Sequence, residues 1–143
     1  MTPSQIQLVQ SALPFIAAEK EQVARLFYQR LFQLDPALRE LFTGDMVIQG
    51  NKLMSVFGTL IAGLNRPEQL VPVLQAMGQR HVGYGIQDSH YATVGSALLW
   101  TLERCLSTNF TTEMRDAWIA LFFVVSRTMI AGSRTGDVLR RAS

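Results

Sequence analysis

Breaks in this chain are few and far apart. Prolines stand at positions 3, 14, 36, 67 and 72, and the longer segments between the breaks carry apolar residues three and four apart. That spacing collects side chains on one face of an α-helix, whereas a half-buried strand would alternate. Ala24, Phe27, Tyr28, Leu31 and Phe32 form one such face; Met46, Gln49, Leu53 and Phe57 form another; Leu70, Leu74, Met77 and His81 form a third. No segment reads as a strand pair closed by a tight turn. The expectation is an all-α chain of six to eight helices with short connections.

Start and stop signals refine this. Thr2, Pro3 and Gln5 make a capped start for a helix to about Pro14 or a little beyond. A second helix spans roughly Glu19 to Leu34, and Asp35-Pro36 opens a short one to Leu41. A third is expected from about Asp45 to Leu64. Asn65, Pro67 and Glu68 mark another start, and Pro72 is expected to break that segment, leaving a helix from about Pro72 to His81. Gly83 and Gly85 mark a loop. Asp88 is the expected cap of a helix to roughly Leu106. Thr111 is the expected cap of the last helix, stopped by Gly132. Residues 1–143 are expected to be one domain, with a short flexible tail after about residue 132.

Composition narrows the function classes. Hydrophobic residues make up 48% and charged residues 17%, enough for a packed core and unlike a disordered chain. Thirteen basic against eleven acidic residues give a net charge of +2. Apart from Arg140 and Arg141 the basic residues are scattered, so no nucleic-acid partner is expected. Cys105 is the single cysteine, which excludes an intrachain disulfide and suits a reducing compartment. The opening MTPSQIQLVQ lacks the basic and apolar regions of a signal peptide, and Trp118–Val125, the longest apolar run, is too short to span a bilayer. A cytoplasmic protein without a membrane partner is expected. In 143 residues there is no room for a catalytic domain plus a cofactor-reductase domain, so electrons for any reductive step would come from elsewhere.

The informative residues are polar groups on apolar faces. His81 ends its stripe, and a buried imidazole needs a partner for at least one nitrogen. A core histidine bonded to a backbone carbonyl and a metal ligand both satisfy that pattern. His90, the other histidine, lies beside an expected helix start and reads as a solvated or capping residue. Gln49 interrupts its stripe with a carboxamide, and Tyr28 brings a phenol among apolar neighbours. Each could equally be a satisfied core residue. Two histidines and one cysteine leave no four-ligand zinc pattern. The Gly83 and Gly85 pair lacks the rest of a phosphate loop, and Asp88-Ser89-His90 cannot converge on one point as a catalytic triad.

Three stretches taken together resemble a known family. They are LFYQRLFQLDPALRELF (Leu26–Phe42), QGNKLM (Gln49–Met54) and MGQRHVGYGIQDSHYATVGSALLWTLE (Met77–Glu103). In this order and spacing the chain resembles bacterial single-domain globins and the globin part of flavohaemoglobins, from about residue 5 to 131. The resemblance implies a globin fold around haem b. His81 would be the proximal iron ligand, and Phe42 would pack on the porphyrin. Tyr28 and Gln49 would face the distal pocket with Leu53, and Ile86 would contact the haem from the loop after the proximal helix. Lys52 and Arg80 would pair with the propionates. A phenol and a carboxamide in a dry pocket can stabilise the partial negative charge that dioxygen gains on ligation.

In flavohaemoglobins a Tyr and a Glu support the ligand histidine. Tyr91 matches the tyrosine, but Ile130–Asp137 (IAGSRTGD) offers no Glu. The implied function is reversible binding of dioxygen, and of NO and CO, for transport or scavenging. One alternative is a nitric oxide dioxygenase served by a separate reductase; a second is a gas sensor.

Overall fold

A computed structural model describes the backbone of residues 1–142 and the side chains of residues 1–134. The described chain is all-α. Its order is α1 (Pro3–Ala18), α2 (Lys20–Leu34), a 3-10 segment (Pro36–Leu41), α3 (Met46–Ala62), α4 (Pro67–Gly83), α5 (Asp88–Leu106), a 3-10 turn (Ser107–Asn109) and α6 (Thr112–Ala142).

Two of the expected caps form, at Thr2 and Thr111, and Asp35 and Asp45 cap the helices that they open. The Thr2 hydroxyl accepts from the Gln5 N–H at 3.1 Å while the Gln5 side chain accepts from the Thr2 N–H at 2.9 Å. Asp35 accepts from the Ala37 N–H, Asp45 from those of Val47 and Ile48, and Thr111 from that of Met114. Each such cap is worth about 1 kcal/mol.

Other boundaries differ from expectation for local reasons. Asn65 does not cap α4, because its side-chain oxygen accepts at 2.6 Å from Gln10 on α1; Arg66 takes the cap position without a side-chain bond. Pro72 lies inside α4 without breaking it. Glu68, whose carbonyl loses its N–H partner, is exposed, so the loss falls where water can reach. Gln87, not Asp88, precedes α5, and the Asp88 carboxylate instead meets Arg134 at 3.1 Å. Gly132 does not end α6. The expected tail falls largely on residues 135–143, whose side chains lie outside the described residues.

The main core gathers Val9 and Ile16 of α1, Val23, Phe27 and Leu31 of α2, Phe57 and Ile61 of α3, Leu102 of α5, and Trp118 and Leu121 of α6. Trp118 stacks on Phe57 with ring centroids 5.5 Å apart and planes inclined by 4°. Thr112–Arg134 is long and apolar enough, by length and composition, to cross a membrane, a wider window than the Trp118–Val125 run suggests. Ala117, Trp118 and Leu121 within it are wholly buried in the core, while Ile119, Phe123 and Val124 are exposed.

A smaller cluster, Leu60, Leu74 and Met129, lies under α4, with Leu70, Met77 and Tyr91 packed on it. Here α4 and α6 touch through backbone. A Cβ on Gly78 would lie 1.9 Å from the Met129 carbonyl oxygen, and one on Gly132 would lie 2.5 Å from the Gln75 Cα. Two glycines, one per helix, let these helices approach more closely than any side chain permits. That seat fixes the last turn of α4, and with it His81.

Candidate functional site

Between α3 and α4 lies a cleft of about 950 Å³, near the upper end of the range for cofactor sites, roughly 300–1,000 Å³. Phe42 closes one end, after the Pro36–Leu41 segment. Gln49 and Lys52 line it from α3, and Met77, Arg80 and His81 from α4. Ile86 reaches it because the chain turns sharply beyond α4. Gly85 has φ +88°, a left-handed conformation suited to glycine, and the Ile86 N–H bonds back to the His81 carbonyl at 3.0 Å.

His81 is held in one tautomer. Its Nδ1 lies 2.6 Å from the Met77 carbonyl oxygen. A carbonyl only accepts, so Nδ1 carries the hydrogen and Nε2 keeps a free lone pair. Burial pushes the imidazole's pKa below the usual histidine value; the Met77 bond opposes this, and the neighbouring Arg80 charge adds to it. The ring is thus a neutral donor at neutral pH, the form a metal requires.

Behind the α3 side of the cleft, Tyr28 of α2 is 7% exposed. Its ring meets Phe27 and Phe42 edge-on, at 5.0 and 5.4 Å between centroids. The nearby Gln49 side chain draws the phenol's pKa down, as a donor towards the phenol oxygen would. Burial raises it more, so the O–H stays protonated. Tyr28 does not itself line the cleft; it is buried behind Gln49.

Lys52 and Arg80 are both exposed and line the cleft from α3 and α4 respectively. No carboxylate lines it among the described residues. Leu53 and Tyr91 lie elsewhere: Leu53 packs on the main core, and Tyr91 on the small cluster beneath α4. His90 accepts from the Gln87 N–H at 3.0 Å and caps the start of α5.

Several lining residues were not singled out from sequence. Tyr84, 63% exposed, sets its ring 5.9 Å from that of His81. Val56 continues Gln49 and Lys52 at helical spacing, a signal that was there to be read. The Met77 carbonyl has no side-chain signature at all.

The residues present suit a haem. One neutral imidazole offers a single nitrogen, and among the described residues no group of three or more His, Cys, Asp or Glu could hold a bare metal ion. Aromatic and aliphatic walls accept a flat apolar ring, and two cations without a competing carboxylate suit two acidic substituents.

Comparison with known proteins agrees with this fold. The globin family model matches residues 25–129. A flavohemoprotein of Xylella fastidiosa is 28% identical over 131 residues, which cover 90% of this chain and 33% of that protein. The chain spans about a third of the length of the flavohemoproteins it matches. A neuroglobin of Danio rerio is 30% identical, with 75% of this chain and 76% of that one covered. Among solved structures, an engineered carbene transferase from Rhodothermus marinus superposes with a TM-score of 0.87 at 20% identity, covering 99% of both chains. A flavohemoglobin from Malassezia yamatoensis, solved with bound FAD and heme, gives 0.77 at 20% identity, covering 94% of this chain and 37% of that one.

Proposed function

The chain belongs to the globin family, and from that premise we propose that it holds haem b between α3 and α4 and binds dioxygen reversibly. His81 would hold the iron through Nε2. Phe42 and Ile86 would pack on the macrocycle, and Lys52 and Arg80 would meet its propionates. Leu53 and Tyr91 would act from behind, by packing the helices that carry the site. When bound, the haem supplies an iron centre open to diatomic gases such as dioxygen, NO and CO. The chain's own residues set how such a gas is held. The Tyr28 phenol, locked by aromatic contacts, donates a hydrogen bond, and Gln49 can donate a second from its amide. Neither side chain competes for iron as a distal histidine would.

The observation that carries this reading is the pairing across one cleft of a neutral, tautomer-fixed imidazole on α4 with Gln49 on α3, behind which Tyr28 of α2 is buried. Reconstitution tests it. The loaded protein is expected to show a Soret band. His81→Ala should lose it and regain it with added imidazole, while His90→Ala keeps it. The reverse pattern would move the ligand to His90.

A second reading, nitric oxide dioxygenation with a separate reductase, draws support from the flavohemoprotein relatives. The partner of the His81 Nδ1 favours the first: a neutral carbonyl donates less electron density through the imidazole than a carboxylate would.

A further inference from the structure

The side of α6 that faces away from the core is apolar at its middle. Met114, Ala117, Trp118, Leu121 and Met129 turn inward. Half a turn round the helix, Ile119, Phe123 and Val124 are 42%, 60% and 40% exposed. None of them lines the cleft. Ala120 falls among them at helical spacing. A solvent-facing helix side is normally polar. Here only its two ends are charged: Asp116 stands one turn before Ala120 and Arg127 one turn after Phe123, both exposed. Among the described residues neither belongs to an ion pair. The Arg127 guanidinium instead lies over the Phe123 ring, 5.3 Å from its centroid.

This face is complementary to itself. Ile119, Ala120, Phe123 and Val124 are centred midway between Leu121 and Phe122, and Asp116 and Arg127 lie equally far from that point on either side. A second α6 laid antiparallel about a two-fold axis through the point would set Asp116 against Arg127 at both ends. Between them Ile119 would meet Val124, and Phe123 would sit over the small Ala120. A two-fold contact requires this kind of matching of a surface with its own copy. We infer that the outward face of α6 is the contact between two copies of this chain, packed antiparallel. A membrane surface fits less well, because Asp116 would be carried to anionic headgroups with the apolar residues. An unrelated partner does not call for a face symmetric about one point. One helix face is narrower than a standard interface of about 800 Å² per partner, so the dimer is reversible, with a dissociation constant on the order of 10 μM. The inference does not rest on the haem reading.

Sedimentation of the full chain, after incubation with haem, tests it over a dilution series spanning that value. The apparent mass is expected to rise with concentration from 16.0 kDa towards twice that. Phe123→Glu, at an exposed position, should weaken association at least about tenfold without lowering the thermal midpoint. Val47→Glu, an equally exposed change on α3, should leave it intact. The charged ends test the register. Asp116→Arg and Arg127→Asp each place like charges at both ends and should each weaken association about three- to tenfold at low salt. An equimolar mixture of the two variants puts opposite charges together again and should associate as the parent does. A mass that stays at 16.0 kDa throughout overturns the inference. So does a dimer indifferent to Phe123→Glu, whose contact then lies elsewhere, or a mixture that fails to recover. Binding to anionic vesicles that Phe123→Glu abolishes, without any dimer, would assign the face to a membrane and also overturn it.

Discussion

At Tyr28, burial and the nearby Gln49 side chain act in opposite directions on one proton, and burial dominates. The phenol is therefore a donor throughout the neutral range. Tyr28→Phe should raise the oxygen dissociation rate about ten- to hundredfold, since a hydrogen bond to a charged acceptor is worth roughly 1.5–3 kcal/mol. Gln49→Leu should raise it less, because the carboxamide divides its bonding between Tyr28 and the ligand. Stopped-flow displacement of oxygen by carbon monoxide measures both, and an unchanged rate in Tyr28→Phe would remove the phenol from ligand binding. At His81 burial holds the folded pKa below the ordinary histidine value of 6.5. Below pH 6.5 the unfolded chain takes up this proton more readily than the folded one. The associated stability is fully present above that pH and is lost as pH falls towards the depressed folded value. Urea midpoints of the cofactor-free protein should fall between pH 7.5 and 5.5, and fall less in His81→Phe. Sequence exposed His81, Gln49 and Tyr28 because each breaks an apolar stripe. Leu53 shares the Gln49 stripe, and the structure packs it and Phe57 on the main core. The Met77 carbonyl stayed hidden, since a backbone acceptor can belong to any residue.

Helices were legible where the deciding contact is local. Thr2, Asp35, Asp45 and Thr111 bond within three residues of themselves, so their caps are written in the neighbouring sequence. Asn65 and Asp88 were claimed by partners 55 and 46 residues away, which no local pattern foretells. Gly132 was read as a stop signal, yet its purpose is the approach of α6 to Gln75. The same reasoning sets a prediction for α4. Gly78→Ala would drive a methyl into the Met129 carbonyl, and overpacking of this kind costs about 1–3 kcal/mol. Its thermal midpoint should drop and its haem should dissociate faster, because the turn carrying His81 is displaced. Gly58→Ala on α3, where a Cβ meets nothing within 4 Å, is the control and should be neutral or slightly stabilising. Equal midpoints in the two variants would contradict the close crossing.

For the whole molecule, the proposed chemistry needs more than these residues. The oxygenated protein mixed with one equivalent of NO should yield nitrate and ferric protein in one fast turnover, two radicals meeting in a confined site. Turnover should then stop, and resume in proportion to an added flavoprotein reductase. A first turnover without nitrate would remove the dioxygenase reading and leave the oxygen carrier. The fold also ties the cofactor to the chain's survival. α4 faces a large cleft on its α3 side, and its anchorage is the small cluster of Leu60, Leu74 and Met129 together with the two glycine contacts. A ligand bridging α3 and α4 would supply the packing this helix lacks on its open side, and would stabilise the seated state by mass action. On the haem reading, the supply of free haem would therefore govern how long a newly made chain escapes proteases: a molecule that fails to capture its pigment would present α4 as its first cleavable segment.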